Sequence, residues 1–212
     1  MPFFHAGPAP RAFGPRRGAL RDGLDLQPGM KVGIFGGSFN PAHDGHAHVA
    51  ETALIRLGLD RVIWLVSPQN PLKGAPEPIE ERMAGAAGFA AAPSMIVSDI
   101  ETRLGSAYSI DTIRALQARH PGVRFVWVMG ADNLAGFHRW KGWTGIFGEL
   151  PVAVVARPGS TLRALNSPAA RRFASARVPA GALLQSQPPA WSYLAAPLNF
   201  ASSTALRGST RP

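Results

Sequence analysis

The sequence predicts a single α/β domain built on a doubly wound parallel sheet. Three observations carry that expectation. Short continuous apolar runs of the parallel-strand kind recur along the chain, helical patterns stand between them, and the first run leads through a glycine-rich turn straight into a helix. Such alternation implies right-handed crossovers, with ligands held beyond the carboxyl ends of the strands.

Taken in order, residues 1–29, rich in Pro, Gly and Arg, read as a flexible N-terminal extension ahead of a folded domain at 30–212. Val32-Gly-Ile-Phe35 is the first strand, and a helix opening near Gly45-His46 follows, with Val49, Ala53 and Leu57 sharing a face with Ala50 and Leu54. Val62–Val66 is a second strand, Ile79–Ala91 a helix and Met95–Val97 a short strand. Ile110–Ala118 follows as a helix with Ser109 at its N-cap. Phe125–Met129 and Val152–Ala156 complete the apolar runs. Residues 160–200 are too irregular to assign, and no internal repeat is present.

A chain of 212 residues with 46% hydrophobic content can bury one good core. It has no cysteine, so disulfides and thiolate metal sites are excluded, in keeping with a reducing cytoplasm. No apolar run approaches the ~20 residues of a spanning helix, and the N-terminus lacks an apolar signal core, so no membrane partner is expected. The formal charge of +9 invites a nucleic-acid partner, yet the excess is terminal. Residues 1–21 hold four arginines and no acid, residues 157–212 hold seven and no acid, and the stretch between sums to −2. No nucleic-acid module is recognisable in the chain, so no nucleic-acid partner is expected. Oligomeric state is not readable from the sequence.

The turn at 36–46 is the most informative segment. Gly36 and Gly37 let the backbone turn sharply and approach a ligand where a Cβ would collide. The helix that follows offers unpaired N–H groups and the positive end of its dipole to an anion. His43 in the loop and His46 in the first helical turn add two donors that can reach one polyphosphate.

Gly36-Gly-Ser-Phe-Asn-Pro-Ala-His-Asp-Gly-His46 resembles the signature of the HxGH nucleotidyltransferases, and specifically of the bacterial nicotinate-nucleotide adenylyltransferase family. Further matches follow in order. Asp99 to Thr112 resembles the segment before the substrate-side helix, and Val128 to Trp140 the GxD segment with its substrate tryptophan. Ala156-Arg-Pro-Gly159 resembles the RPG turn, and Ala201-Ser-Ser-Thr-Ala-Leu-Arg207 the motif that closes over the triphosphate. The resemblance covers about residues 30 to 207.

What the resemblance implies is a Rossmann-like fold and transfer of the adenylyl group of ATP to nicotinate mononucleotide in NAD biosynthesis. His43, His46 and Arg207 would be catalytic. Gly36, Gly37, Ser38, Phe39, Gly130, Asp132, Ser202, Ser203 and Thr204 would join them around ATP. Asn40, Lys73, Tyr108, Ser109, Trp140 and Arg157 would hold the mononucleotide. Mg²⁺ would arrive on the ATP phosphates, with no protein cage.

Several residues keep plainer alternatives: Asp132 as a helix N-cap, Lys73 as a solvated loop residue, Trp64 and Trp127 as core, and Trp143 undecided. Asn70-Pro-Leu-Lys73 departs from the Pro-Pro-His-Lys of many relatives. Phe200-Ala201 stands where they have isoleucine, and the last predicted helix is short. Three other activities stay open, namely adenylyl transfer to nicotinamide mononucleotide, adenylyl transfer to pantetheine phosphate, and non-catalytic nucleotide or RNA binding.

Overall fold

Each apolar run is a strand, and the inner ones are buried, as their continuity requires of a sheet covered on both faces. The structure is a computed structural model that describes residues 22–68, 77–105 and 108–196. Its strands are β1 (Lys31–Gly37), β2 (Arg61–Val66), β3 (Met95–Ser98), β4 (Arg124–Gly130), β5 (Val152–Val155) and β6 (Trp191–Leu194). The helices are α1 (Asp44–Leu57), α2 (Ile79–Phe89), α3 (Ile100–Arg103), α4 (Ser109–Arg119), α5 (Ala131–Gly136), α6 (Trp143–Glu149), α7 (Thr161–Leu165) and α8 (Pro168–Arg172). Three 3-10 turns cover Phe137–Arg139, Ala174–Ala176 and Ala180–Gln185. Among the described residues all strand pairs are parallel, in the order β3-β2-β1-β4-β5-β6.

Side chains alternate across the strands into two cores. On one face Ile34, Leu65, Trp127 and Val154 meet Ile113 and Leu116 of α4 and Phe147 of α6. On the other, Phe35, Trp64, Val128 and Val155 meet Val49, Ala50, Ala53 and Leu57 of α1 and Ala86 of α2. Helix α1 ends at Gly58, whose φ of 58° is the left-handed conformation that favours glycine and whose N–H closes onto Ile55 and Leu54.

Two expectations need correction, and one unassigned segment gains its element. The packed body starts upstream of residue 30: Leu24 and Leu26 are buried in the first core, and Gly29 N–H donates to Gly122 O at 2.8 Å. The Asp22 carboxylate accepts from Leu24 N at 3.2 Å and lies 2.7 Å from His120 Nε2. Tyr108, not Ser109, occupies the N-cap position of α4, and Ser109 is the first helical residue. Finally, the unassigned segment supplies β6, pinned where Trp191 Nε1 donates to Phe173 O at 2.7 Å. No helix among the described residues is long and apolar enough to cross a membrane.

Candidate active site

The chain builds β1, β2 and β3 outward and then returns to place β4 beside β1. The topological switch point therefore lies between the carboxyl ends of β1 and β4, where α/β sheets hold their ligands. Gly37 ends β1 and Gly130 ends β4 at this place.

Gly36 and Gly37 are strand residues rather than turn residues, which corrects the reason given for them. A Cβ on Gly36 would stand 2.5 Å from Trp127 Cη2, and one on Gly37 3.0 Å from the Phe39 ring. These glycines make room for an aromatic floor. The left-handed position of the turn is taken by Phe39 at φ 45°, a costly choice for an aromatic residue. Packing holds it there: the buried Phe39 ring lies 5.4 Å from Phe35 and 5.1 Å from Trp64. Ser38 and Asn40 flank it in the same turn.

His43 closes the turn as the N-cap of α1. Its Nδ1 accepts from Gly45 N–H at 3.0 Å, and its carbonyl accepts from His46 N–H at 2.8 Å. With Nδ1 accepting, the neutral ring carries its proton on Nε2. Burial lowers the His43 pKa below 6.5, and the charge of Arg157 lowers it further, while Asp132 and Asp44 oppose. The His46 ring lies 3.8 Å from that of His43, tilted by 36°, and packs edge-on against Phe39 at 5.0 Å. Both imidazoles thus share one end of α1, as the spacing predicted.

Across the switch point Asp132 occupies the second position of α5, so the alternative of a helix N-cap is excluded; that position is Gly130. Asp132 Oδ1 lies 3.8 Å from Arg157 Nε, directly beyond β5. A Cβ on Gly130 would strike Asp132 Oδ1 and stand 3.2 Å from Arg157 Cγ, so this glycine lets the pair approach the strand end. Arg157 is buried, Asp132 half exposed, and both act electrostatically on His43.

A second group of predicted residues gathers beside the first. Trp140 is fixed by Phe137 at 5.2 Å and by Trp127 at 6.3 Å, the same Trp127 that fills the space at Gly36. The next residue, Lys141, holds its ammonium 4.1 Å from the Tyr108 ring centre, which brings Trp140 to the start of α4. Ser109 there faces the buried Glu101, whose carboxyl burial pushes up to about 7 against the Ser109 and Thr112 hydroxyls, which pull it down. Trp143 joins neither group: it packs on Phe147 and Phe173 and belongs to the core margin. Trp64 and Trp127 are core, as expected. Lys73, Ser202, Ser203, Thr204 and Arg207 lie outside the described residues.

Sequence reasoning singled out neither Lys141 nor Glu101, which the structure brings against Tyr108 and Ser109. Lys141 follows the assigned tryptophan directly, and Glu101 lies inside a matched segment, so both had a signal. Among the described residues no group of three or more His, Cys, Asp or Glu is placed to hold a metal ion.

The cytidylyltransferase-like family profile matches residues 34–209. A relative from Caulobacter sp. strain K31, named "probable nicotinate-nucleotide adenylyltransferase", is 67% identical over 184 residues, covering 84% of this chain and 97% of its own. The chain belongs to the nicotinate-nucleotide adenylyltransferase family. A Rhizobium meliloti member bearing the same name is 54% identical over 183 residues, with 84% and 97% covered. Among solved structures, the Plasmodium falciparum nicotinic acid mononucleotide adenylyltransferase complexed with NaAD shares the fold at a TM-score of 0.63 and 14% identity, over 84% of this chain and 83% of its own. The family's Rossmann-like nucleotidyltransferase fold is the one described above.

Proposed function

We propose that this chain transfers the adenylyl group of ATP to nicotinate mononucleotide, giving the deamido-dinucleotide and pyrophosphate. The observation that carries the proposal is the paired His43 and His46 at the switch point, facing Asp132 and Arg157. A mononucleotide phosphate oxygen attacks the α-phosphorus of ATP in line. The new P–O bond forms as the bond to the β-phosphate oxygen breaks, and the electron pair leaves with pyrophosphate. The attacking phosphate is already a nucleophile, so the protein needs no covalent intermediate. Its work is alignment and charge neutralisation.

In this reading His43 donates through Nε2–H and His46 contacts the α-phosphate, both at the positive end of α1. Arg157 neutralises phosphate charge where the two substrates meet, and Asp132 accepts from an adenosine ribose hydroxyl. Gly36, Gly37, Ser38 and Phe39 shape the floor below the nucleotide. Ser202, Ser203, Thr204 and Arg207 would grip the β- and γ-phosphates. Trp140 supplies a flat face for the pyridine ring, and the N–H groups at Tyr108 and Ser109 receive its carboxylate. Asn40 and Lys73 complete the mononucleotide side. With the Asp132 and Asp44 carboxylates acting on His43, the site would take a Mg²⁺ ion carried by the triphosphate. When bound, the ion adds neutralisation of phosphate charge.

The test is pyrophosphate release from ATP and Mg²⁺ with nicotinate mononucleotide, nicotinamide mononucleotide and phosphopantetheine offered in parallel. Strong release with the nicotinate form alone is expected. Release with another acceptor reassigns the substrate, and no release with any of them favours a binding protein.

A further inference from the structure

Arg82 lies on α2, at neither cluster of the site, yet it is only 2% exposed. Its guanidinium spends four of its N–H groups on backbone carbonyls. Nε donates to Glu77 O at 2.8 Å, and Nη1 donates to Ser38 O and to Ser67 O, both at 2.8 Å. Nη2 donates to Pro68 O at 3.2 Å. These carbonyls belong to two different walls. Ser38 opens the turn that carries Phe39, Asn40 and His43, whereas Ser67 and Pro68 leave the end of β2 toward Lys73. The strand ends are already close, since Ser67 N–H donates to Gly37 O at 3.0 Å.

Among the described residues no carboxylate lies within ion-pair distance of Arg82; Glu77 and Glu80 act on it only from further away. A desolvated cation without a close counter-charge is costly unless its donors are all engaged. The planar fork of arginine suits such a task, because it presents several N–H groups in fixed directions where lysine offers a single point charge. Without it Ser38 O, Ser67 O and Pro68 O would lack this donor.

We propose that Arg82 is a positioning residue that fixes the phosphate turn at Ser38 against Ser67–Pro68 at the end of β2, and through that turn both substrate sides of the site. The inference rests on the adenylyl-transfer reading above for its kinetic consequence, though not for the tether itself. Arg82 touches no substrate. It acts by holding Asn40 and His43 in register with Ser67–Pro68, and misplacement of about 1 Å can cost ~100-fold in rate.

The experiment uses Arg82→Lys and Arg82→Ala in the full chain. With Arg82→Lys, a fall of about 10- to 100-fold in kcat is expected together with a raised KM for both substrates, since the tethered turn carries Ser38, Phe39 and His43 on the ATP side and Asn40 on the mononucleotide side. Backbone amides at Ser38–Asn40 should exchange faster in the same variant. For Arg82→Ala, added methylguanidinium should restore part of the lost kcat. A folded Arg82→Lys protein with parental kcat and KM overturns the proposal. So does activity lost only in proportion to the unfolded fraction, with both KM values unchanged. If Arg82→Ala does not fold, Arg82→Lys and its exchange rates decide alone. If the parent releases no pyrophosphate with any acceptor, the functional reading fails, while unchanged exchange at Ser38–Asn40 would separately refute the tether.

Discussion

His43 performs two tasks that a substitution can separate. Its Nδ1 caps α1 through Gly45 N–H, which leaves Nε2–H for a phosphate. Asparagine caps as well as histidine does but cannot place a donor where the imidazole edge stands. His43→Ala should therefore lose about 1 kcal/mol of stability along with activity, whereas His43→Asn should recover the stability and not the turnover. Thermal unfolding and pyrophosphate release on both variants check this, and equal recovery of both properties would reduce His43 to a cap. The depressed pKa sets a sign as well. A base neutral in the fold contributes stability above its unfolded value of 6.5 and loses it as pH falls below, since burial and then the charge of Arg157 disfavour the protonated ring. The two histidines were legible in the sequence because their spacing and the strand-to-helix junction are local. The purpose of Gly36 was not, because the atom that forbids a side chain there belongs to Trp127, on a strand far along the chain.

At the level of the element, α4 shows how a buried acid can govern a helix start. Glu101 is 3% exposed and sits against Ser109 and Thr112 in the first turn of α4, with its pKa pushed to about 7 by burial. Because the folded value lies above the unfolded one, its stabilising contribution is complete below about 4.5 and disappears as pH rises through 7. The difference corresponds to roughly 3 kcal/mol at 1.36 kcal/mol per unit. Glu101→Gln, neutral at every pH, should gain stability relative to the parent as pH is raised from 5 to 8, by up to about that amount. Melting temperatures of the two proteins across that range test it, and a constant difference would show that the carboxyl does not titrate there. The helix itself was readable from its apolar period, whereas its first residue was not. Ser109 looks like a cap by composition, but its hydroxyl is drawn to Glu101 and the cap position falls to Tyr108. Strand β6 escaped for a related reason, since its four residues show no apolar run and owe their place to β5 and to the Trp191–Phe173 bond.

For the whole molecule, the sheet separates stability from chemistry by placing them at opposite ends of its strands. The proposed site lies beyond the carboxyl ends of β1, β4 and β5, where His43, Asp132 and Arg157 meet. At the other end Gly29 bonds to Gly122 just before β4, and Asp22 meets His120 at the finish of α4. Leu24 and Leu26 enter the first core from this strap, which a Pro-, Gly- and Arg-rich composition concealed. Leu24 is 1% exposed, so truncation to alanine removes buried surface and leaves a cavity worth about 2–5 kcal/mol. In a chain of 212 residues each kcal/mol lowers Tm by roughly 2–4 °C, so Leu24→Ala should melt some ~5–15 °C earlier. Its kcat and both KM values at 20 °C should match the parent, because the strap touches none of the residues proposed to contact substrate. A variant that kept its Tm would mean that the strap carries no share of the core. One that melted normally but turned over slowly would mean that the far end of the sheet is mechanically linked to the site, through α4 and its first turn at Ser109.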